Sequence, residues 1–242
     1  MKRMLTAQGY SLQGERHGTN QDTYAIKLEK EKGLIIVADG MGGHRAGDTA
    51  SKMAIELIVK ECQNKGPEAL RRAIDTANYE ILKKGMTEDV YAGMGTTIVL
   101  CYIQANKGYI AHVGDSRAYL LHNEEITRLT RDHSLVEELI SHGEITPEEA
   151  LTHPMKNIIT MALGVEERIK PEFTEITLQD GDSLLLCSDG FSNVVPEEFM
   201  EETMRRYAPQ ESVKLLCEEA KKRGSTDDIT VIVLQKSNER EG

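Results

Sequence analysis

LIIVADG, residues 34–40, is a run of apolar residues that ends in an aspartate and a glycine. Consecutive apolar positions predict a strand that is buried on both faces. The pattern recurs as LLLCSDG at residues 184–190, and IAHVGDS at residues 110–116 also places an aspartate just after a predicted strand. A fourth predicted strand, residues 229–234, directly follows Asp227-Asp228. The sequence therefore predicts four strands that each carry a carboxylate at one end.

The rest of the chain alternates between helix-like and strand-like stretches. Apolar stripes with a helical period predict helices at residues 48–62, 68–84, 196–207 and 209–223. Further strands are predicted at residues 4–12, 22–28, 96–103, 118–122, 126–129 and 171–178. The polar stretch 134–163 predicts an excursion over the surface with brief helices, and the polar residues after 234 predict a frayed tail.

The lengths of the connections indicate how these elements are arranged. Because the strands between residues 96 and 129 have short links, we expect antiparallel hairpins there rather than crossovers. Antiparallel runs of strands with helices in pairs favour an α+β sandwich of two sheets covered by helices. We expect a single domain that spans residues 1–242.

Composition excludes several classes of partner. The chain has 29 Lys plus Arg against 40 Asp plus Glu, and its net charge of −11 repels nucleic acid and anionic lipid. Its apolar runs are too short to span a membrane or to form a signal peptide. The four cysteines lie in apolar segments without zinc-ligand spacing, which predicts buried, reduced thiols. We therefore expect a cytoplasmic monomer.

The aspartates at the strand ends predict a metal centre. Taken alone, Asp-Gly after a strand is ordinary turn chemistry. Several partly desolvated carboxylates together would repel one another unless a highly charged cation lay between them. Oxygen ligands without Cys or clustered His favour Mg²⁺ or Mn²⁺. Two such ions can activate a water and stabilise a phosphoryl group, so the pattern favours metal-assisted hydrolysis.

A series of short motifs, in order, resembles the bacterial protein phosphatase 2C family. The similarity extends from about residue 20 to residue 233, and the motifs are DGMGGH (39–44), AG (46–47), AS (50–51), GTT (95–97), GDSR (114–117), TRDHS (130–134), SDG (188–190) and TDDIT (226–230). The resemblance implies a four-layer αββα sandwich of two antiparallel sheets flanked by helix pairs. It also implies hydrolysis of phosphoserine and phosphothreonine in proteins, opposing a Ser/Thr kinase.

The resemblance assigns roles to individual residues. Asp39 would bridge two Mn²⁺ or Mg²⁺ ions, with the Gly40 carbonyl on one ion and Asp189 and Asp227 on the other. Asp115 would hold a weaker third ion.

Three further positions are assigned in the same way. Asn193 occupies a position that helps to hold the third ion in the family, and Asp22 would support the site through waters. Residues 134–163 would form the family's flap beside the active site.

The chain departs from the family pattern where the substrate phosphate is bound. In the family an Arg stands three residues before the element that is Asn20-Gln21-Asp22 here, and His17 has that spacing. Arg16, one residue earlier, could reach through a bulge, or a protonated His17 could serve instead. His44, beside the glycine loop, is a candidate proton donor.

The changes at this position leave two functions open. One is an active phosphatase, which the aspartate set favours. The other is a phosphatase-like regulatory module that binds metal and phosphoprotein with weak or no turnover, which the missing Arg favours.

Overall fold

The structure, a computed structural model, describes residues 3–16, 18–42, 46–62 and 65–238. Its strands within these ranges are β1 (Arg3–Leu12), β2 (Asp22–Glu29), β3 (Lys32–Met41), β4 (Gly95–Thr96), β5 (Ile98–Gln104), β6 (Lys107–Val113), β7 (Arg117–His122), β8 (Glu125–Arg128), β9 (Glu172–Thr177), β10 (Ser183–Cys187) and β11 (Ile229–Asn238). The helices are α1 (Ala46–Cys62), α2 (Leu70–Thr87), α3 (Leu135–Ser141), α4 (Pro147–Leu151), α5 (Asp189–Ser192), α6 (Glu197–Arg206) and α7 (Pro209–Lys222).

The strands form two sheets in which every pairing is antiparallel. The first sheet has the order β1-β11-β10-β7-β8. The second has the order β2-β3-β5-β6-β9, and the short β4 pairs with β3. This arrangement confirms the two antiparallel sheets that the sequence predicted.

Three buried clusters show how the layers pack. One cluster joins α1 and α2 to the outer face of the second sheet, and another joins α6 and α7 to the outer face of the first. The third lies between the sheets, where Ile35 and Val37 of β3 contact the layer that contains Leu184 and Ile232. Both faces of β3 are therefore buried, as LIIVADG predicted, and the four-layer αββα sandwich is confirmed.

One predicted hairpin is not a hairpin. The β5–β6 and β7–β8 links are hairpins, but β6 belongs to the second sheet and β7 to the first. Residues 114–116 therefore cross from one sheet to the other. A link of this length can do so because packed sheets are about 10 Å apart and each extended residue spans about 3.5 Å. The crossing carries Asp115 to the boundary between the sheets.

The predicted frayed tail was also wrong over its first residues, because β11 continues to Asn238 and pairs with β1 along its length. Lys236 is a polar residue of this segment with partners inside the fold. Its side chain is buried, and its Nζ donates hydrogen bonds to Asn106 Oδ1 at 2.8 Å and to Leu178 O at 2.6 Å. A buried ammonium group is tolerated when it is hydrogen-bonded in this way.

The four cysteines are buried and free, as their apolar surroundings predicted. Among the described residues, no helix combines the length and the apolar character needed to cross a membrane.

Replacing Lys236 by methionine should destabilise the fold. Lys236→Met keeps an aliphatic side chain but leaves the buried Leu178 carbonyl without this donor, at a cost of about 2 kcal/mol. Urea denaturation measures the loss, and Lys214→Met, at an exposed position of α7, is the matched control. Equal stability of the two variants would show that the buried ammonium group does not stabilise the sheet.

Candidate metal centre

Two predicted site residues face each other across neighbouring strands of the second sheet. Asp22 begins β2 and is in register with Asp39, near the end of β3. Directly opposed residues of an antiparallel pair point their side chains to the same face. Asp22 is buried; its Oδ2 accepts a hydrogen bond from the Ser188 hydroxyl at 2.7 Å, and its Oδ1 has no partner among the described residues.

Two more of the predicted site residues lie in the first sheet. Asp189 directly follows β10 and Asp227 lies just before β11. Because these strands are antiparallel neighbours, both residues lie at the same end of the strands. Both line a cleft of about 140 Å³ together with Arg16 and Asn193. Lys156 lines the same cleft, so the 134–163 excursion borders this edge of the sandwich.

Asp115 reaches the same region from the crossing between the sheets. It is 8% exposed, and its Oδ1 has no partner among the described residues. Gly114 before it has φ +105°, and a Cβ there would lie 2.6 Å from the Thr97 side chain, so only glycine fits without strain. The Thr97 hydroxyl accepts from the Asp39 N–H at 3.1 Å and hydrogen-bonds the Ser116 hydroxyl at 2.7 Å. Thr97 therefore connects the Asp115 turn to the backbone of Asp39.

Burial and mutual repulsion both disfavour the ionised form of the carboxyl groups in this cluster. Burial, and then the charges of four other aspartates, raise the pKa of Asp39 well above its usual value; these neighbours are Asp22, Asp189, Asp115 and Asp227. Burial raises the pKa of Asp22 to about 7 and that of Asp115 to about 8. A divalent cation would offset both the desolvation and the repulsion. The carboxylate oxygens that have no hydrogen-bond partner in the described ranges, and the all-oxygen donor set, fit Mg²⁺ or Mn²⁺.

The two remaining predicted ligands have other contacts as well. Asn193 is exposed and donates from Nδ2 to Asp189 Oδ2 at 3.1 Å, so its amide contacts Asp189. A Cβ on Gly40 would lie 2.2 Å from the carbonyl oxygen of Gly47, at the start of α1. Close packing of β3 against α1 is therefore sufficient reason for a glycine after Asp39.

The predicted phosphate-binding position lies partly within the described residues. The Arg16 guanidinium, about half exposed, forms an ion pair with Asp227. Its backbone is held there because Arg16 N–H donates to Thr226 O at 3.2 Å. His17, the alternative to Arg16, and His44, the candidate proton donor, lie outside the described residues.

Asp228 has a structural contact that the sequence did not reveal. Its two carboxylate oxygens accept the backbone N–H of Gly14 at 2.8 Å and of Gln21 at 2.7 Å. The loop that carries Arg16 is thus attached at both ends to the residue after Asp227. The carboxylate can accept both bonds because each of its oxygens is an acceptor.

The half-buried Arg117 and the buried Asp132 form an ion pair next to the cluster. Arg117 donates from Nε at 3.1 Å and from Nη2 at 2.7 Å to the Asp132 carboxylate, and Arg128 also pairs with it. The two residues belong to the quoted motifs GDSR and TRDHS, but spacing alone did not indicate that these motifs contact each other.

His112, His133 and Glu172 form a second polar cluster that the sequence did not predict. The two imidazole rings are stacked, with centroids 4.6 Å apart and planes at 16°. Ring-nitrogen lone pairs lie in the ring plane, so the lone pairs of stacked rings do not converge on one ion. His133 Nδ1 also accepts the Gly114 N–H at 3.0 Å, which leaves the proton on Nε2. The geometry is therefore unfavourable for a metal bound by both rings.

Comparison with known proteins gives a consistent result. A family model described as Protein phosphatase 2C matches residues 14–219. A serine/threonine phosphatase, stp, of Listeria monocytogenes is 39% identical over 236 residues, which are 94% of each chain. The crystal structure of the Mycobacterium tuberculosis serine/threonine phosphatase PstP/Ppp superposes with a TM-score of 0.88 at 34% identity, over 97% of this chain and 99% of that one. The catalytic domain of PstP in complex with two manganese ions gives 0.86 at 32% identity, over 98% and 100%.

The raised carboxylate pKa values predict how the stability of the metal-free protein depends on pH. Between pH 4 and about pH 7 the folded chain retains protons on Asp22 and Asp115, whereas the unfolded chain, with ordinary values of 3.8, releases them. Because the folded state then binds more protons, the free energy of unfolding falls as pH rises, by on the order of a few kcal/mol. Denaturant titrations in chelator measure this trend.

Two controls isolate the cluster. Asp115→Asn should flatten the fall in stability, and saturating Mn²⁺ should abolish it, because the ion replaces the protons. Stability that rises across this pH range in chelator, in parent and variant alike, would contradict the proposed electrostatics.

Proposed function

The chain belongs to the protein phosphatase 2C family, and on that basis we propose that it removes phosphate from phosphoserine and phosphothreonine through two divalent ions held by Asp39, Asp189 and Asp227. It is a metal-dependent protein phosphatase. The site assignment rests on one observation: carboxylates from both sheets converge at one end of the sandwich. Burial and neighbouring charges raise the pKa of Asp39 there. The alternative of a regulatory module with weak turnover is not supported, since the similarity to phosphatases covers nearly the whole chain.

The bound ions supply a nucleophilic water at neutral pH and positive charge for the phosphoryl oxygens. Asp39, whose carboxylate is close enough to the other aspartates to feel their charge, would be a ligand of both ions. Asp189 and Asp227 would hold the ions from the first sheet, and the Gly40 carbonyl would contribute from the second. Manganese is the first ion to test, since the PstP catalytic domain was crystallised with two manganese ions, and magnesium is the alternative.

Three residues act around this pair of ions in our proposal. Asp22, fixed by the Ser188 hydroxyl, orients waters at the site. Asp115, whose Oδ1 has no hydrogen-bond partner among the residues that the structure describes, would hold a third and weaker ion. Asn193 donates to Asp189, which supports an orienting role for it rather than a place on the third ion.

The substrate phosphate is bound by Arg16 in this proposal. Its guanidinium lies at the rim of the cleft beside Asp227, where a planar donor group can reach a phosphoryl oxygen. We further propose that residues 1–242 form one catalytic domain, with residues 134–163 as its flap. The activity would reverse that of a Ser/Thr kinase in the cytoplasm.

Removing a core ligand should abolish the reaction without unfolding the chain. Hydrolysis of p-nitrophenyl phosphate and of phosphothreonine peptides should require Mn²⁺ or Mg²⁺ and stop in chelator. Asp39→Asn and Asp189→Asn should each lower kcat by roughly 10² or more, because the ions lose a ligand. Asp75→Asn, on the exposed face of α2, should match the parent. Full activity of either site variant, or of the parent in chelator, would refute the assignment.

Arg16 should determine how tightly small phosphoesters bind. A single charged hydrogen bond to phosphate contributes about 1.5–3 kcal/mol, so Arg16→Ala should raise KM by roughly ten-fold or more. His17→Ala should change KM little. Calorimetric Mn²⁺ titration of both variants separates phosphate binding from the loss of the Arg16–Asp227 pair. An unchanged KM in Arg16→Ala, with a raised KM in His17→Ala, would transfer the role to His17.

A further inference from the structure

Two hydrogen bonds join His133 to the residue before Asp115. The backbone N–H of His133 donates to the Gly114 carbonyl at 2.9 Å, and the N–H of Gly114 donates to His133 Nδ1 at 3.0 Å. Gly114 is buried and has φ +105°, so its backbone groups cannot turn to water without moving the turn. The imidazole therefore satisfies the buried N–H of a glycine whose positive-φ conformation aims the next side chain.

The ring of His133 is itself held in one tautomer and one orientation. His112 stacks on it, and the Nε2 of His112 is 2.7 Å from the Arg131 carbonyl, to which it donates. Burial lowers the pKa of His112, which favours the neutral ring in that contact. On the other side, Glu172 Oε1 lies 3.5 Å from His133 Nε2, where it favours the tautomer with the proton on Nε2.

The backbone of His133 is fixed from the flap side as well. The Thr160 N–H donates to the His133 carbonyl at 2.8 Å, and Ser134 forms a β-bridge with Ile159. The two ends of the 134–163 excursion thus meet at His133. His133 is therefore attached to the base of this excursion through its backbone and to the Asp115 turn through its ring.

We propose that His133 is a positioning residue, which holds the Gly114–Asp115 turn so that Asp115 Oδ1, which has no hydrogen-bond partner in the described part of the chain, faces the site of the third ion. This inference rests on the proposed role of Asp115. His133 touches neither ion nor substrate; it acts through the Gly114 backbone. Loss of its acceptor would free the turn, weaken the third site and leave the two core ions in place.

Two substitutions separate this role from simple packing. His133→Asn keeps an acceptor, because the amide Oδ1 can occupy the place of Nδ1, whereas His133→Leu keeps volume but has no acceptor. His142→Leu, at an exposed position of the same excursion, is the matched control. Three quantities are measured: hydrogen exchange of the Gly114 amide, Mn²⁺ binding by calorimetry, and the separate kcat and KM for p-nitrophenyl phosphate.

In His133→Leu we expect Gly114 exchange to become at least about ten-fold faster and the weak Mn²⁺ affinity to fall roughly ten-fold, the effect of one lost buried hydrogen bond. The core sites should keep their affinity, and kcat should fall with little change in KM. His133→Asn should restore all three quantities to within about three-fold of the parent.

Asp115→Ala, measured alongside, should remove the weak site. The inference is overturned if His133→Leu leaves Gly114 exchange and weak binding unchanged, if His133→Asn is as impaired as His133→Leu, or if the weak site survives Asp115→Ala. A failure of the proposed function is distinct, because the core Mn²⁺ sites would then be missing from the parent itself.

Discussion

Acidic side chains from both sheets meet at one end of the sandwich, where burial and mutual repulsion oppose their negative charge. Burial and the surrounding carboxylates raise the pKa of Asp39 well above its usual value. Such a cluster is stable only if the rest of the fold holds it rigidly and bound protons or a cation offset its charge. The packed core between the sheets supplies the rigidity, since both faces of β3 are buried.

Short polar side chains carry this rigidity to the site itself. The Thr97 hydroxyl connects the Asp39 backbone to Ser116 beside Asp115, and the Ser188 hydroxyl fixes Asp22. Asp228 is next to Asp227 in sequence, but both of its carboxylate oxygens accept hydrogen bonds from backbone N–H groups of the loop that carries Arg16. Neighbouring carboxylates thus have different functions: some shape the backbone, and the others remain available for ions.

Local sequence patterns predicted the layers and most of the strands, because a buried strand such as residues 34–40 is visible in its apolar run. They did not predict features that depend on partners far along the chain. A short glycine-containing link such as 114–116 fits either a hairpin or a crossing between sheets. Lys236 looked like part of a tail because its partners, Asn106 and Leu178, lie in other loops. The sequence likewise did not indicate that His133 contacts Gly114, which lies 19 residues earlier in the chain.

Crystals of the protein grown with Mn²⁺ and measured at the manganese absorption edge would test the central claim most directly. Two strong anomalous peaks are expected between Asp39, Asp189 and Asp227, with any weaker peak beside Asp115. The account would be contradicted by an absence of peaks among these aspartates at saturating Mn²⁺, or by an ion bound instead between His112 and His133.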